Sequence, residues 1–382
     1  MTVQAQEYEL FGSNSVQAVR PAPLVWALTG QRAGDRAQVL ALAEALGWPF
    51  EEKRLFYNRL STIPNLLLGS SRLSLDRAVS DSLAPPWPDL VIASGRLSAP
   101  IARWIRRQAG GRTRLVHIGR PWAPLEHFDL VVSTPQYHLP PRENLLQNTL
   151  SLNRIDPERL AEAAAVWVPR LAHLPRPIVG VIVGGDARPY VLDPETAGGL
   201  GRAASRLAEE RGASLVVTTS RRTRPEAVAA LFEAVTVPSY RHSWSEDAEN
   251  PYLAFLALAD SLIVTGDSAS MLSEACATGK AVWFFALPER LDPRIQVARR
   301  FRALAKGGNG TRHTLAARLY DRLVDLGLIT STRDMAAFHE ALIIGGFASR
   351  LGEPSPQSQA PVAEELARTV ARVRALQAPE EV

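Results

Sequence analysis

One cysteine, Cys276, stands in the whole chain, so no internal disulfide can form; a reducing compartment is compatible with that. Lysine is almost as scarce. Lys53, Lys280 and Lys306 are the only three among 43 basic residues, and arginine supplies the rest. Arginine forks onto phosphate, so the bias suits an anionic substrate or an anionic membrane surface. The formal excess is only +4, and no basic stripe carries interleaved aromatics, which argues against a nucleic-acid partner. No apolar run is long enough to span a bilayer. Glu7 and Glu9 stand where a secretory signal would be basic and then apolar. No signal peptide is therefore expected, and the cytoplasm or the inner face of the membrane is the expected location. Metal-ligand spacing is missing: the seven histidines are scattered and no Asp-x-Asp occurs. A serine-hydrolase elbow is missing as well.

What is present is enough apolar sequence for two cores. The chain has 382 residues, 46% hydrophobic and 21% charged, which fits a two-domain globular protein. Residues 1–20 read as a disordered extension. Short apolar runs then alternate with helical patterns. Strands are expected at 24–28, 89–93, 115–118 and 129–133, with helices at 35–46 and 98–107. Residues 157–177 read as a hinge, with a helix at 158–171 followed by Pro175, Arg176 and Pro177. The alternation restarts with strands at 178–183, 214–219, 261–265 and 281–285. Helices are expected at 198–211, 224–234, 251–259 and 269–278, and a last amphipathic helix at 362–376. Strand–helix alternation implies α/β architecture with parallel sheets. The expected division is 21–165, 175–345 and a tail at 346–382.

Ligands of open α/β sheets bind beyond the carboxyl ends of the strands, so the loops there carry the functional reading. The strongest follows the strand at 261–265. Gly266 turns the chain, Asp267 or Ser268 caps the next helix, and its first amides suit a phosphate. Ser270 and Glu274 are four residues apart and share a helix face with Met271 nearby. A carboxylate one turn below a phosphate can accept both hydroxyls of a ribose. The same residues also describe an ordinary well-capped helix. Gly184, Gly185 and Asp186 form either an anion nest or a plain strand–helix turn. Ser220, Arg221, Arg222 and Thr223 place two arginines at a strand end, where they suit a diphosphate or lie solvated at a helix start. Asn250 before Pro251 reads as a helix cap, with a contact from Asn250 or Tyr252 to a donor base as the alternative.

In the first half, Gly34, Asp35 and Arg36 follow the first strand. Asp35 reads either as a general base facing a cleft or as a helix cap. Ser94, Gly95 and Arg96 end another strand, and His117 a third. They are expected to face the same cleft on the acceptor side, with His117 the second candidate base or a hydrogen-bonded structural residue. Residues 53–72 mix leucines with Lys53, Arg54, Arg59 and Arg72. They read as a helix pair over the core or as a surface for an anionic bilayer.

These segments resemble the bacterial members of the mitochondrial-fission-associated glycosyltransferase-like family. The matching stretches are 30–38 (GQRAGDRAQ), 88–96 (PDLVIASGR), 218–223 (TTSRRT), 250–252 (NPY) and 264–280 (VTGDSASMLSEACATGK). More distantly, 270–274 resembles the donor helix of peptidoglycan and lipopolysaccharide glycosyltransferases of GT-B fold. The resemblance implies two facing Rossmann-like domains, the second binding a nucleotide-sugar, with a last helix crossing back to the first. It implies metal-independent sugar transfer, with no cofactor beyond the donor, to a cell-envelope glycan or lipid-linked acceptor. Two alternatives stay open. One is a 2-epimerase of the same fold; no Tyr-x-x-x-Lys dyad occurs here, and such an enzyme needs none. The other is a non-catalytic scaffold.

Overall fold

A computed structural model describes residues 22–247, 249–290, 293–306, 315–325, 334–356 and 362–377. The extension expected at 1–20 lies outside the described residues. The first unit comprises β1 (Val25–Thr29), α1 (Ala33–Ala45), β2 (Phe50–Arg54), the single turn α2 (Asn65–Leu68), β3 (Leu90–Ser94), α3 (Ser98–Gln108), β4 (Arg114–Ile118), β5 (Leu130–Ser133) and β6 (Leu145–Gln147). Its strands pair in the order β2-β1-β3-β4-β5-β6, all parallel. Alternate residues serve opposite faces. Trp26, Leu28, Val91 and Ala93 pack with Ile101 and Ile105 of α3. Val25, Ala27, Leu90 and Ile92 pack with Val39 and Leu42 of α1. A sheet covered on both sides needs apolar residues at every position, and this is why β1 reads as an unbroken apolar run.

The second unit contains α4 (Pro157–Leu171), β7 (Ile178–Ile182), α5 (Pro194–Arg211), β8 (Ser214–Thr218), α6 (Pro225–Glu233), β9 (Ser239–His242), α7 (Tyr252–Leu258), β10 (Ser261–Thr265), α8 (Ala269–Ala277) and β11 (Ala281–Phe285). After these come α9 (Pro293–Lys306), α10 (Leu315–Asp325), α11 (Met335–Ile344), β12 (Ser349–Arg350) and α12 (Val362–Ala375). The strand order is β12-β11-β10-β7-β8-β9, again all parallel. The helix expected to act as a hinge is not a free connector. α4 joins the second core: its Trp167 meets Phe255 edge-on at 5.9 Å and Tyr240 at 5.8 Å. The boundary expected at 165 therefore falls before α4.

α12 leaves the second unit and packs on α1. Val373 is fully buried in that contact, and Arg374 donates to the Leu46 carbonyl at 2.9 Å. Glu365 accepts from the amides of Thr149 and Leu150 at 2.7 and 2.9 Å, which pins the crossing segment as well.

Each sheet reverses its winding once. In the first the reversal lies between β1 and β3; in the second, between β7 and β10. A crevice opens beyond the strand ends at such a reversal. The loops that matter are thus those after β1 and β3 and those after β7 and β10.

Candidate functional site

The loop after β7 is woven into its neighbours. The Gly184 amide donates to Thr265 Oγ1 at 2.7 Å. Its carbonyl accepts from Thr223 Oγ1 at 2.7 Å and from Ser220 Oγ. Gly185 has φ +138°, and a Cβ there would overlap the Arg222 carbonyl, so only glycine fits. The Asp186 amide donates to the Arg222 carbonyl at 3.2 Å, and its carboxylate accepts from Leu192 N at 2.9 Å and pairs with Arg224 at 2.9 Å. The anion nest expected here is therefore not open: the amides of Gly184 and Asp186 are spent on holding three strand ends together.

Asp267, buried, and Arg222, partly exposed, sit at the centre of that arrangement. The Asp267 side chain is 0% exposed and lies 2.7 Å from Arg222 Nη1. The Arg222 guanidinium and the Thr265 hydroxyl are the side-chain donors that lie against its carboxylate. Burial pushes its carboxyl above the ordinary range, while the Arg222 charge opposes the rise. Arg222 also reaches toward the carbonyls of Gly185 at 3.5 Å and Asp186 at 3.3 Å. Of the two expected diphosphate arginines, Arg222 is thus committed to Asp267. Arg221 is exposed and forms no ion pair among the described residues.

Ser268, and not Asp267, caps α8, accepting from Met271 N at 3.4 Å. Glu274 accepts a hydrogen bond from the Tyr252 hydroxyl. Burial raises its carboxyl above the usual range, and the Tyr252 bond works against that rise. Asn250 does not sit as the cap before Pro251. The helix starts at Tyr252, whose amide donates to Asn250 Oδ1 at 3.0 Å across an exposed turn.

On the first unit, α1 begins at Ala33, so Asp35 lies inside the first turn and is not its cap; Arg32 is the cap residue, with no side-chain bond. Asp35 Oδ2 would lie 3.0 Å from a Cβ on Gly95, which has φ +79° after β3. Burial and, second, the Asp35 charge raise the Tyr57 hydroxyl well above its ordinary value. A Cβ on Gly34 would come 2.8 Å from Ser270 Oγ. The lack of a side chain at position 34 therefore lets the first turns of α1 and α8 meet across the crevice. Each helix points its positive end at that meeting point.

Three residues expected on the acceptor side have other work. Arg36 grips Glu52 with Nε–Oε1 at 2.6 Å and Nη2–Oε2 at 2.9 Å, and holds that carboxyl down at about 2. Arg96 donates to the carbonyls of Ile63 at 3.1 Å and Ser61, fixing the loop before α2. His117 does not face the crevice. It is 0% exposed, its ring nitrogens sit 3.1 Å from the Gly95 carbonyl and 3.2 Å from that of Gly119, and burial lowers it to about 4. It is a buried structural histidine, held between two backbone carbonyls. Ser94 is half-buried, its carbonyl accepting from Ser98 Oγ at 2.7 Å.

His339 of α11 went unforeseen. Its Nε2 meets the Gly266 carbonyl at 2.9 Å, its ring stacks on Phe284 at 4.3 Å between centroids, and burial lowers it to about 4. No strand-end pattern marks it, because it reaches the turn from a helix 73 residues further along.

Two parallel α/β units facing each other across their reversal points define the GT-B class of architecture. The chain belongs to the family described as Mitochondrial fission ELM1, which matches residues 33–326. It is 30% identical over 219 residues to the Arabidopsis thaliana mitochondrial fission protein ELM1, a match covering 51% of each chain. The chain thus spans about half the length of that relative. A Rickettsia prowazekii (strain Madrid E) protein described only as uncharacterized is 25% identical over 301 residues, which is 69% of this chain and 83% of the relative. Among solved structures, MurG of Acinetobacter baumannii is similar at TM-score 0.40 and 13% identity, over 92% of this chain and 99% of that one. A UDP-GlcNAc 2-epimerase of Neisseria meningitidis, bound to UDP-GlcNAc, is similar at TM-score 0.40 and 12% identity, over 84% and 98%.

Proposed function

We propose that this chain is a glycosyltransferase that moves a sugar from a nucleotide-sugar to a cell-envelope acceptor, without a metal ion. The observation that carries the reading is the meeting of the α1 and α8 first turns at Gly34 and Ser270, beside Asp35. Two positive helix ends facing one space stabilise a bound anion there by about 0.3–1 kcal/mol each, more where partly buried.

In this reading the turn at 266–270 and Arg221 hold the diphosphate. Glu274, oriented by Tyr252, takes the ribose hydroxyls. The acceptor hydroxyl gives its proton to Asp35 and attacks the anomeric carbon, while the bond to the diphosphate oxygen breaks. The nucleoside diphosphate leaves with its new charge facing the α8 amides. Binding and transfer are separable: Glu274 belongs to the first and Asp35 to the second.

The test is thermal unfolding with nucleoside diphosphates, followed by incubation with nucleotide-sugars and a membrane extract. A raised midpoint that Glu274→Ala removes is expected. Sugar transfer that Asp35→Ala abolishes, with the midpoint shift kept, is expected too. No shift with any nucleotide overturns the donor site, and isomerised free nucleotide-sugar without transfer makes the chain an epimerase instead.

A further inference from the structure

The hairpin of α9 and α10 stands apart from the sheets. Among its described residues, Ala305, Tyr320 and Val324 form a small buried cluster of their own. Large apolar side chains lie exposed among its described residues. On α9, Val297 and Leu304 are bare at 65% and 83% exposure, while Phe301 packs on Tyr320 of α10 at 5.8 Å between ring centroids. Leu315 and Leu319 are bare on α10, with Leu315 82% exposed. Side chains this large and this bare call for a cover when they cluster.

Charge says what covers them. α9 holds five basic residues and no acidic one; α10 holds two of each. The hairpin helices thus carry an excess of five, against four for the whole chain, so the remainder is one short of neutral. Exposed Arg300, Arg318 and Arg322 stand on the same two helices as the leucines. Basic and apolar residues on short amphipathic helices match an anionic lipid surface. A second copy fits worse, because it would bring the same positive charge against itself. None of the helices among the described residues is long and apolar enough to cross a bilayer, so the contact is a surface one.

The position is informative. Arg120 Nη2 donates to the Val324 carbonyl at 3.1 Å, which ties the end of α10 to the turn after β4. Asn65 Nδ2 donates to the Pro121 carbonyl at 2.9 Å, which ties α2 to the next residue of that turn. α2 presents Leu66 and Leu67, the latter 75% exposed. Two apolar elements, one from each unit, therefore flank one turn at the crevice side of the sheets.

We propose that the α9–α10 hairpin, with Leu66 and Leu67 beside it, seats the protein on an anionic bilayer and turns the crevice toward the lipid. The contact does not depend on the nucleotide reading.

The test is co-sedimentation of the full chain with phosphatidylcholine vesicles and with vesicles that also contain phosphatidylglycerol. Binding to the anionic vesicles alone is expected, and it weakens with salt. Leu304→Glu with Leu315→Glu should reduce it roughly tenfold or more, and Arg300→Ala and Arg318→Ala about fivefold each. These positions are exposed, so the thermal midpoint stays. Three results overturn the proposal: no binding to anionic vesicles, equal binding to both vesicle types, or unchanged binding by the leucine variant. A dimer in lipid-free buffer that the leucine variant dissociates also overturns it, since another copy then covers the face. The nucleoside diphosphate shift, unaltered in the leucine variant, keeps this outcome separate from that of the donor site.

Discussion

Replacing Arg222 by alanine strips the one ionic partner, among the described residues, from a carboxylate with no exposed surface. Asp267 is then left with neutral donors alone, the Thr265 hydroxyl first, against the cost of burying its charge. Breaking a buried pair from one side costs about 3–5 kcal/mol. The Arg222 side chain is 35% exposed, so part of its interaction is already screened, and about 2–3 kcal/mol is the better expectation. For a unit of this size that lowers the midpoint by about 4–12 °C. The opposite deletion is milder. Asp267→Asn leaves a guanidinium that water reaches and that faces two carbonyls, at a cost under about 1 kcal/mol. pH separates this account from a packing defect. The folded carboxyl already lies above its unfolded value, and loss of Arg222 raises it further. Between the wild-type and the variant folded values only the variant binds the extra proton, so the Arg222→Ala deficit shrinks as pH falls through that window and grows as pH rises through it. Urea titrations at pH 7 and pH 5, with the single and double variants, measure it. A deficit that is equal at both pH values, or that Asp267→Asn does not relieve in the Arg222→Ala background, refutes the reasoning.

Gly185→Ala should cost about 2 kcal/mol or more, because the added Cβ meets the Arg222 carbonyl at φ +138°; chemical denaturation reads it. Gly34→Ala should lower transfer activity by pushing α1 from Ser270, and Ser270→Ala, which removes the Oγ lying 2.8 Å from the new Cβ, should restore part of it. Steady-state rates of the two single variants and the double one decide that. His117 and His339 are both lowered to about 4 by burial. Unfolding lets them take protons below about 6.5, so stability should fall from pH 6.5 toward pH 4, and His339→Phe should flatten part of that slope in calorimetric scans.

The central strands were legible because both of their faces are buried, which leaves apolar runs such as 25–28 and 262–264. The edge strands were not. β2 reads Phe-Glu-Glu-Lys-Arg and β9 reads Ser-Tyr-Arg-His, since an edge is kept charged against unwanted pairing. Glycines and capping residues after the strands pointed to the right loops but not to their use. Gly184, Asp186 and Arg222 look like anion ligands by type, and the fold spends them on one another. His117 lies at the end of a strand and Arg96 follows one, yet backbone carbonyls claim them both. A sequence gives residue types at strand ends; it does not show which partner, from a loop 36 or 81 residues away, arrives first.

This distinction narrows what the site can do. Once the committed groups are set aside, Asp35, Arg221, Ser270, Glu274 and the first turns of α1 and α8 remain for a ligand. They come from both units, so neither unit holds the whole set. On the side that would bind the donor, Gly184, Arg222, Asp267 and His339 tie the strand ends together. The Asp35 side reaches it only through the bare backbone of Gly34. Donor affinity should therefore survive changes at 34 and 35 that remove transfer, whereas changes at 222 or 267 should weaken both together. That split between binding and turnover distinguishes an interdomain catalyst from a nucleotide-binding scaffold.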